Sequence, residues 1–212
     1  MRTEDLINAL VADLTVSKFR FRQVLVSAIA LGAIVAAAAF LPSMGVRPDI
    51  RQALLTIRFL FKFVVTLSLA VSAGGLLYCL ARPGTPTGLW AWALIAAPTL
   101  LVIAVVTELV ATPVASWSSR MVGTNAVYCL MLIPLLSLGP LACIIYALRK
   151  GAPTNPGLAG AVAGLLASGI AATLYATHCT DDSPLFLATW YSLATGIVTL
   201  AGYAIGARAL RW

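Results

Sequence analysis

Charge is what this 212-residue chain has least of: Asp, Glu, Lys and Arg make up 10% of it against 61% hydrophobic residues, and the mean hydropathy is +0.97. So little polar surface cannot coat a soluble globule, and the apolar residues fall into separate runs of the roughly 20 residues that cross a bilayer. Histidine occurs once, as His178, and cysteine only at Cys79, Cys129, Cys143 and Cys179. The chain has no HExxH zinc motif, no paired CxxC units, no serine set beside a base and no glycine-rich phosphate loop. Hydrolysis and nucleotide chemistry therefore have no visible machinery, and the chain reads as a protein that is not an enzyme. No basic, aromatic-interleaved surface points to direct nucleic-acid contact.

What is present is a succession of six apolar runs, at about 24–41, 59–80, 89–111, 126–147, 157–177 and 185–207. They predict an all-α polytopic membrane protein, a bundle of six transmembrane helices with short connectors. The first run follows the charged segment 1–22 and leads into further spans, so it is expected to be a span and not a cleaved signal. Residues 1–22 then form a cytoplasmic segment, and 23–212 one membrane domain.

Lys and Arg positions orient the bundle. With the N-terminus in the cytoplasm, the inner flanks hold Arg2, Lys18, Arg20, Arg22, Arg82, Arg149, Lys150, Arg208 and Arg211, and the outer side holds Arg47, Arg51, Arg58, Lys62 and Arg120. The excess favours both termini on the cytoplasmic side of the membrane. The net charge of +7 is then read as topology and contact with anionic membrane lipids.

On this topology the outer side receives 42–58, 112–125 and 178–184, and with them His178, Cys179, Asp181 and Asp182 of the stretch HCTDDSP. Cys129 lies just inside the outer end of span four, while Cys79 and Cys143 fall near inner ends and read as small buried apolar residues. Cys129 and Cys143 share a helix but stand roughly 21 Å apart along it, so they cannot share a site. For the outer pair, with His178 and the carboxylates nearby, three readings stay open: a thiol or soft-metal sensor for zinc, cadmium or copper, a structural disulfide, or no direct role. No constitutive cofactor is expected.

Glu108, near the outer end of span three, is the most unusual charge in an apolar context, and such groups are usually paired or functional. Lys62 has the matching depth to pair with it, and the alternative is that Glu108 reaches the His178 and Cys179 neighbourhood as a ligand or hydrogen-bond acceptor. Asp181 and Asp182 read either as accessory ligands or as a solvated loop capping the helix that begins at Pro184. Gly157, Gly160, Gly164 and Ser168 form a small-residue stripe on span five, and Gly202 and Gly206 repeat it on span six. Such stripes let helices approach closely, within one chain or in a homodimer. Pro98, Pro134 and Pro140 each remove a backbone donor within a span.

Near the N-terminus Leu6, Ile7, Leu10, Val11 and Leu14 recur on one helical face, with Thr3 as a candidate cap and Glu4 and Asp5 in the first turn. A helix this short needs a surface to fold against. Its acidic start argues against an anionic leaflet, and a groove on a soluble partner fits at least as well.

The stretches MRTEDLINALVADL, CLMLIPLLSLGP, LRKGAPTNPGLAGAVAGLLA and YATHCTDDSPLF together resemble the NrsF-like family of six-span proteobacterial anti-sigma factors, negative regulators of extracytoplasmic-function sigma factors. The resemblance runs over essentially the whole chain. It implies a protein that holds a sigma factor inactive through its cytoplasmic N-terminal segment and releases it on heavy-metal or oxidative stress. The resemblance also implies that two periplasmic cysteines do the sensing, and on this chain they would be Cys129 and Cys179. No cytoplasmic HxxxCxxC zinc unit is present, so the signal would have to cross the bilayer, and a change in how spans four and five pack, with Gly157, Gly160 and Gly164 at their contact, is the expected route. The residues also permit a small-solute or metal transporter, which the lack of an internal repeat disfavours, or a membrane scaffold with a structural disulfide.

Overall fold

The computed structural model describes residues 3–211, and along the first helix the side chains of Thr3, Glu4, Asp5, Ile7, Asn8, Val11 and those from Phe21 onward. Every regular element among them is helical. In chain order these are α1 (Thr3–Ser43), the short α2 (Ile50–Ala53), α3 (Ile57–Leu80), α4 (Gly88–Ala111), α5 (Trp117–Val122), α6 (Ala126–Leu148), α7 (Pro156–Ala176), α8 (Pro184–Phe186) and α9 (Ser192–Ala209). A π-helical turn over Leu187–Tyr191 joins α8 to α9 into one span.

Six stretches are long and apolar enough to cross a membrane, at Phe21–Ser43, Ile57–Leu80, Gly88–Ala111, Val114–Leu148, Pro156–Ala176 and Pro184–Ala209. They match the runs expected from hydropathy, and six crossings return the chain to the side it started from. Local chemistry sets several of the starts. The Thr56 hydroxyl accepts from the Phe59 amide at 3.4 Å to open α3, and Asn155 accepts from the Leu158 amide at 3.0 Å with Pro156 in the first position of α7.

Two departures from expectation stand out. The N-terminal segment is no separate short helix, because α1 runs unbroken from Thr3 into the first span. Of its apolar face Ile7 and Val11 are exposed, while the side chains of Leu6, Leu10 and Leu14 lie outside the described residues. The second departure concerns the glycine stripe of α7, which faces α9 and not α6. A Cβ on Gly160 would stand 2.2 Å from the Gly202 carbonyl oxygen and 2.7 Å from the Gly206 Cα, and one on Gly164 would stand 2.6 Å from the Val198 oxygen. Gly157 lies under the Tyr203 ring. The two stripes therefore meet each other, and backbone packs directly on backbone.

Elsewhere α1 lies along α6, where Gly32 sits against Pro140. The core has two parts. At the end carrying the termini, Phe21, Leu77, Ile144, Leu148 and Ala163 pack together; at the opposite end Phe40, Cys129, Ile133, Tyr175, Cys179, Phe186 and Tyr191 do so. The outlier is α4, which buries only Ala97 and Glu108. It touches α3 through Trp90, whose indole lies on Gly75, and an apolar cleft of about 510 Å³ opens beside its middle among Leu69, Pro98, Leu101, Leu165 and Leu200.

Candidate functional site

The end opposite the termini gathers the polar chemistry. Its organiser is the connector between α7 and α9, in which residue after residue is tied to a different part of the bundle. The His178 ring lies edge-on to Phe40 of α1 at 6.4 Å, and its Nδ1 sits 3.1 Å from the Gly45 carbonyl oxygen, which requires the proton on Nδ1. The Arg47 amide donates to the Thr177 carbonyl at 3.1 Å. The carbonyl of Cys179 accepts from Lys62 Nζ of α3 at 2.9 Å and from Arg47 Nη1 at 3.4 Å.

The two aspartates do not cap the helix that follows them. Asp181 reaches back to the start of α6, accepting from the amides of Asn125 at 2.8 Å and Thr124 at 3.0 Å and from Asn125 Nδ2 at 2.9 Å. Because that turn leads straight to Cys129, Asp181 links the two thiol-bearing segments. Asp182 pairs with Lys62 and, at 3.1 Å, with Arg47, which also holds Asp49 at 2.6 Å. The Arg47 guanidinium keeps the Asp49 carboxyl below its ordinary range.

Glu108 is buried and ion-paired, though not with Lys62. Its carboxylate takes Arg120 at 3.1 Å and Arg58 at 3.7 Å, and accepts from the Ser183 hydroxyl at 2.7 Å and the Leu185 amide at 3.1 Å. Lys62 is drawn instead to Asp182. Depth in the membrane was legible for both charges, but the choice of partner depends on helix rotation, which hydropathy does not carry.

Beneath this polar lid lie the thiols. Cys129 and Cys179 are both fully buried and share one cluster with Tyr175, Phe186 and Tyr191. All four cysteines are free. Burial pushes the Cys179 thiol up, and the Lys62 ammonium only partly opposes this. The group is therefore a protonated thiol at neutral pH, a poor nucleophile and a poor ligand while it stays covered. The buried hydroxyls of Tyr175 and Tyr191 make no hydrogen bond of good geometry and lie against the Cys179 sulfur, and nothing in their apolar sequence context signalled this. Cys79 and Cys143 lie toward the end that carries the termini, away from the pair.

No group of three or more His, Cys, Asp and Glu side chains that could hold a metal ion occurs among the described residues. The imidazole is engaged by the Gly45 carbonyl and the carboxylates by Arg47, Arg120, Lys62, Asn125 and Ser183, which leaves the two sulfurs as the soft donors of this cluster. Arg47, Arg120 and Ser183 carried no sequence signal as site residues, and Lys62 was expected to pair with Glu108, although Asp182 at similar depth was a usable alternative.

Fold and site define a polytopic helical membrane protein with a braced polar cap over a buried thiol cluster. The family described as "Negative regulator of sigma F" matches residues 10–212, and the chain belongs to this family, NrsF, whose members are anti-sigma factors and not enzymes. The chain is 36% identical over its full length to the whole of the anti-sigma-F factor NrsF of Caulobacter vibrioides. It is 35% identical, again over the full length of both chains, to a probable anti-sigma-F factor NrsF of Azospira oryzae. No solved structure matches it.

Proposed function

We propose that this anti-sigma factor sequesters an extracytoplasmic-function sigma factor, of the sigma-F kind named for its relatives, through the cytoplasmic segment 1–22. In this reading both termini are cytoplasmic, and release follows heavy-metal or oxidative stress sensed in the periplasm at Cys129 and Cys179. The observation that carries it is the burial of both thiols in one cluster under a connector that also grips the end of α1. A soft cation such as cadmium, zinc or copper would bind the two sulfurs as each loses its proton. Hydrogen peroxide would instead take two electrons and two protons from the thiols, leaving a disulfide and two waters.

Either event enlarges or tightens the cluster, and the connector has a direct route to the output. His178 touches Phe40 and the Gly45 carbonyl at the end of α1, and α1 continues as one helix to Thr3, roughly 60 Å at 1.5 Å per residue. No repacking of the α7 glycines is needed. The two states must differ in affinity for the sigma factor, and about 1–3 kcal/mol, roughly 5–150-fold, is what such couplings supply.

Transcription from a sigma-dependent promoter tests the sensor. With Cys129→Ser and Cys179→Ser together, induction by cadmium and by hydrogen peroxide is expected to vanish while repression at rest persists. Undiminished induction overturns the proposal. The output arm is tested separately by Leu6→Asp with Leu10→Asp in the full-length protein. Buried anchors of a docked helix are worth about 2 kcal/mol each, or about thirtyfold in affinity, so this variant is expected to transcribe constitutively and to lose co-purification of the sigma factor from solubilised membranes.

A further inference from the structure

Lys62 is the one charged side chain of the described residues whose burial is complete, and it is not explained by topology or by stability. A cation near a membrane surface usually extends to water; this one points inward over the Phe59 ring, with its ammonium 5.8 Å from the ring centre. A buried ion pair contributes little net stability against an apolar pair of the same shape, so its value lies in what it positions. Here it positions two things, the Asp182 carboxylate and the carbonyl oxygen of Cys179 itself. Arg47 repeats both contacts from the neighbouring loop. The connector from Thr177 to Asp182 is thus held at the Cys179 carbonyl and the Asp182 carboxylate by two cations from two different elements, and the thiol of Cys179 faces down into the cluster beneath.

We propose that Lys62 and Asp182 form a latch that keeps the Cys179 thiol closed off from the aqueous face and thereby sets the stress level at which the thiol pair reacts. With the pair intact, the connector opens rarely and the thiol stays covered and protonated. Without it, the Cys179 carbonyl loses its strongest donor, local opening becomes frequent, and thiol-directed reagents reach the sulfur at lower concentration. The second part of this statement rests on the sensor reading above; the first part does not.

The test measures access to the thiol directly. Full-length protein in membrane vesicles is treated with a water-soluble maleimide, and labelling of each cysteine is followed by mass spectrometry of its peptide. Asp182→Asn and Lys62→Met are expected to label Cys179 at least about tenfold faster, the factor given by about 1.4 kcal/mol of local opening free energy. Cys79 and Cys143 should keep their rates, and Asp182→Glu should restore slow labelling of Cys179. An unchanged Cys179 rate overturns the latch. So does a rise in equal proportion at all four cysteines, since that marks a general stability contact. The sigma-dependent reporter then separates the two readings. Faster labelling with no lowering of the inducing cadmium concentration leaves the latch standing and removes the sensor role, whereas unchanged labelling beside a lost response in the serine variants does the reverse.

Discussion

Replacing Gly160 by leucine is expected to abolish accumulation of the protein in the membrane. At this position a first carbon alone would stand 2.2 Å from the Gly202 carbonyl oxygen and 2.7 Å from the Gly206 Cα. Both obstacles are backbone, so no rotamer change relieves them. The helices would have to separate, and with them the facing contacts of Gly164 and Gly202, which rest on the same close approach. Overpacking usually costs about 1–3 kcal/mol, and an insertion against rigid backbone lies at or above the top of that range. The control lies in the same helix pair: Gly196 has open space where its Cβ would be, so Gly196→Ala should accumulate normally. Quantifying membrane-inserted protein by immunoblot, with both variants expressed from one promoter, decides the matter. Normal levels of the leucine variant would show that α7 and α9 pack otherwise.

Glu108→Ala is the second substitution with a large expected effect. The carboxylate is almost fully buried and receives the Ser183 hydroxyl, the Leu185 amide and the Arg120 guanidinium. Alanine leaves these donors without an acceptor and Arg120 without its counter-ion. Removing one member of such a set costs about 3 kcal/mol, because the partners remain desolvated. For a chain of this size that corresponds to a melting temperature lower by roughly 6–12 °C in detergent solution. Glu108→Gln retains an acceptor for Ser183 and Leu185 and loses only the charge, so it should fall between alanine and the parent. Scanning fluorimetry of the purified variants reads this order, and equal melting for all three would show the carboxylate to be dispensable. The loss should be local in origin, since Glu108 joins α4 to the start of α8 and leaves the ties at Lys62 untouched.

Much of this architecture is legible in the sequence, and the reasons are physical. Hydrocarbon tolerates little besides apolar side chains over a span, so the six runs were visible as composition alone. Small residues at helical spacing, as at Gly157, Gly160 and Gly164, announce a close approach, but the pattern is silent about which neighbour approaches. The partner proved to be the matching stripe on α9. The same limit applies to charges: Glu108 and Lys62 were conspicuous in the sequence, yet their partners, Arg120 and Asp182, are set by helix rotation and by a connector whose path has no hydropathy signature. The continuity of α1 was hidden for a different reason. The charged stretch through Lys18, Arg20 and Arg22 ends the apolar run without ending the helix, since these residues are good helix formers. Cys129 and Cys179 were placed on one side by topology, and the shared cluster beneath the connector was beyond what spacing between residues 50 apart could define.

The sparse packing of α4 has a mechanical corollary. Trp90 fastens this helix to Gly75 near one end and Glu108 fastens it near the other, while between them Ala97 alone is buried and the cleft runs alongside. A rod held firmly at both ends and lightly between them, where Leu94 and Leu101 lean on the core half-buried, bends most easily at its middle, and Pro98, which lacks a backbone donor, lies there beside the cleft. Against the α7 and α9 pair, whose backbones touch, α4 therefore has few buried contacts to lose when it bends.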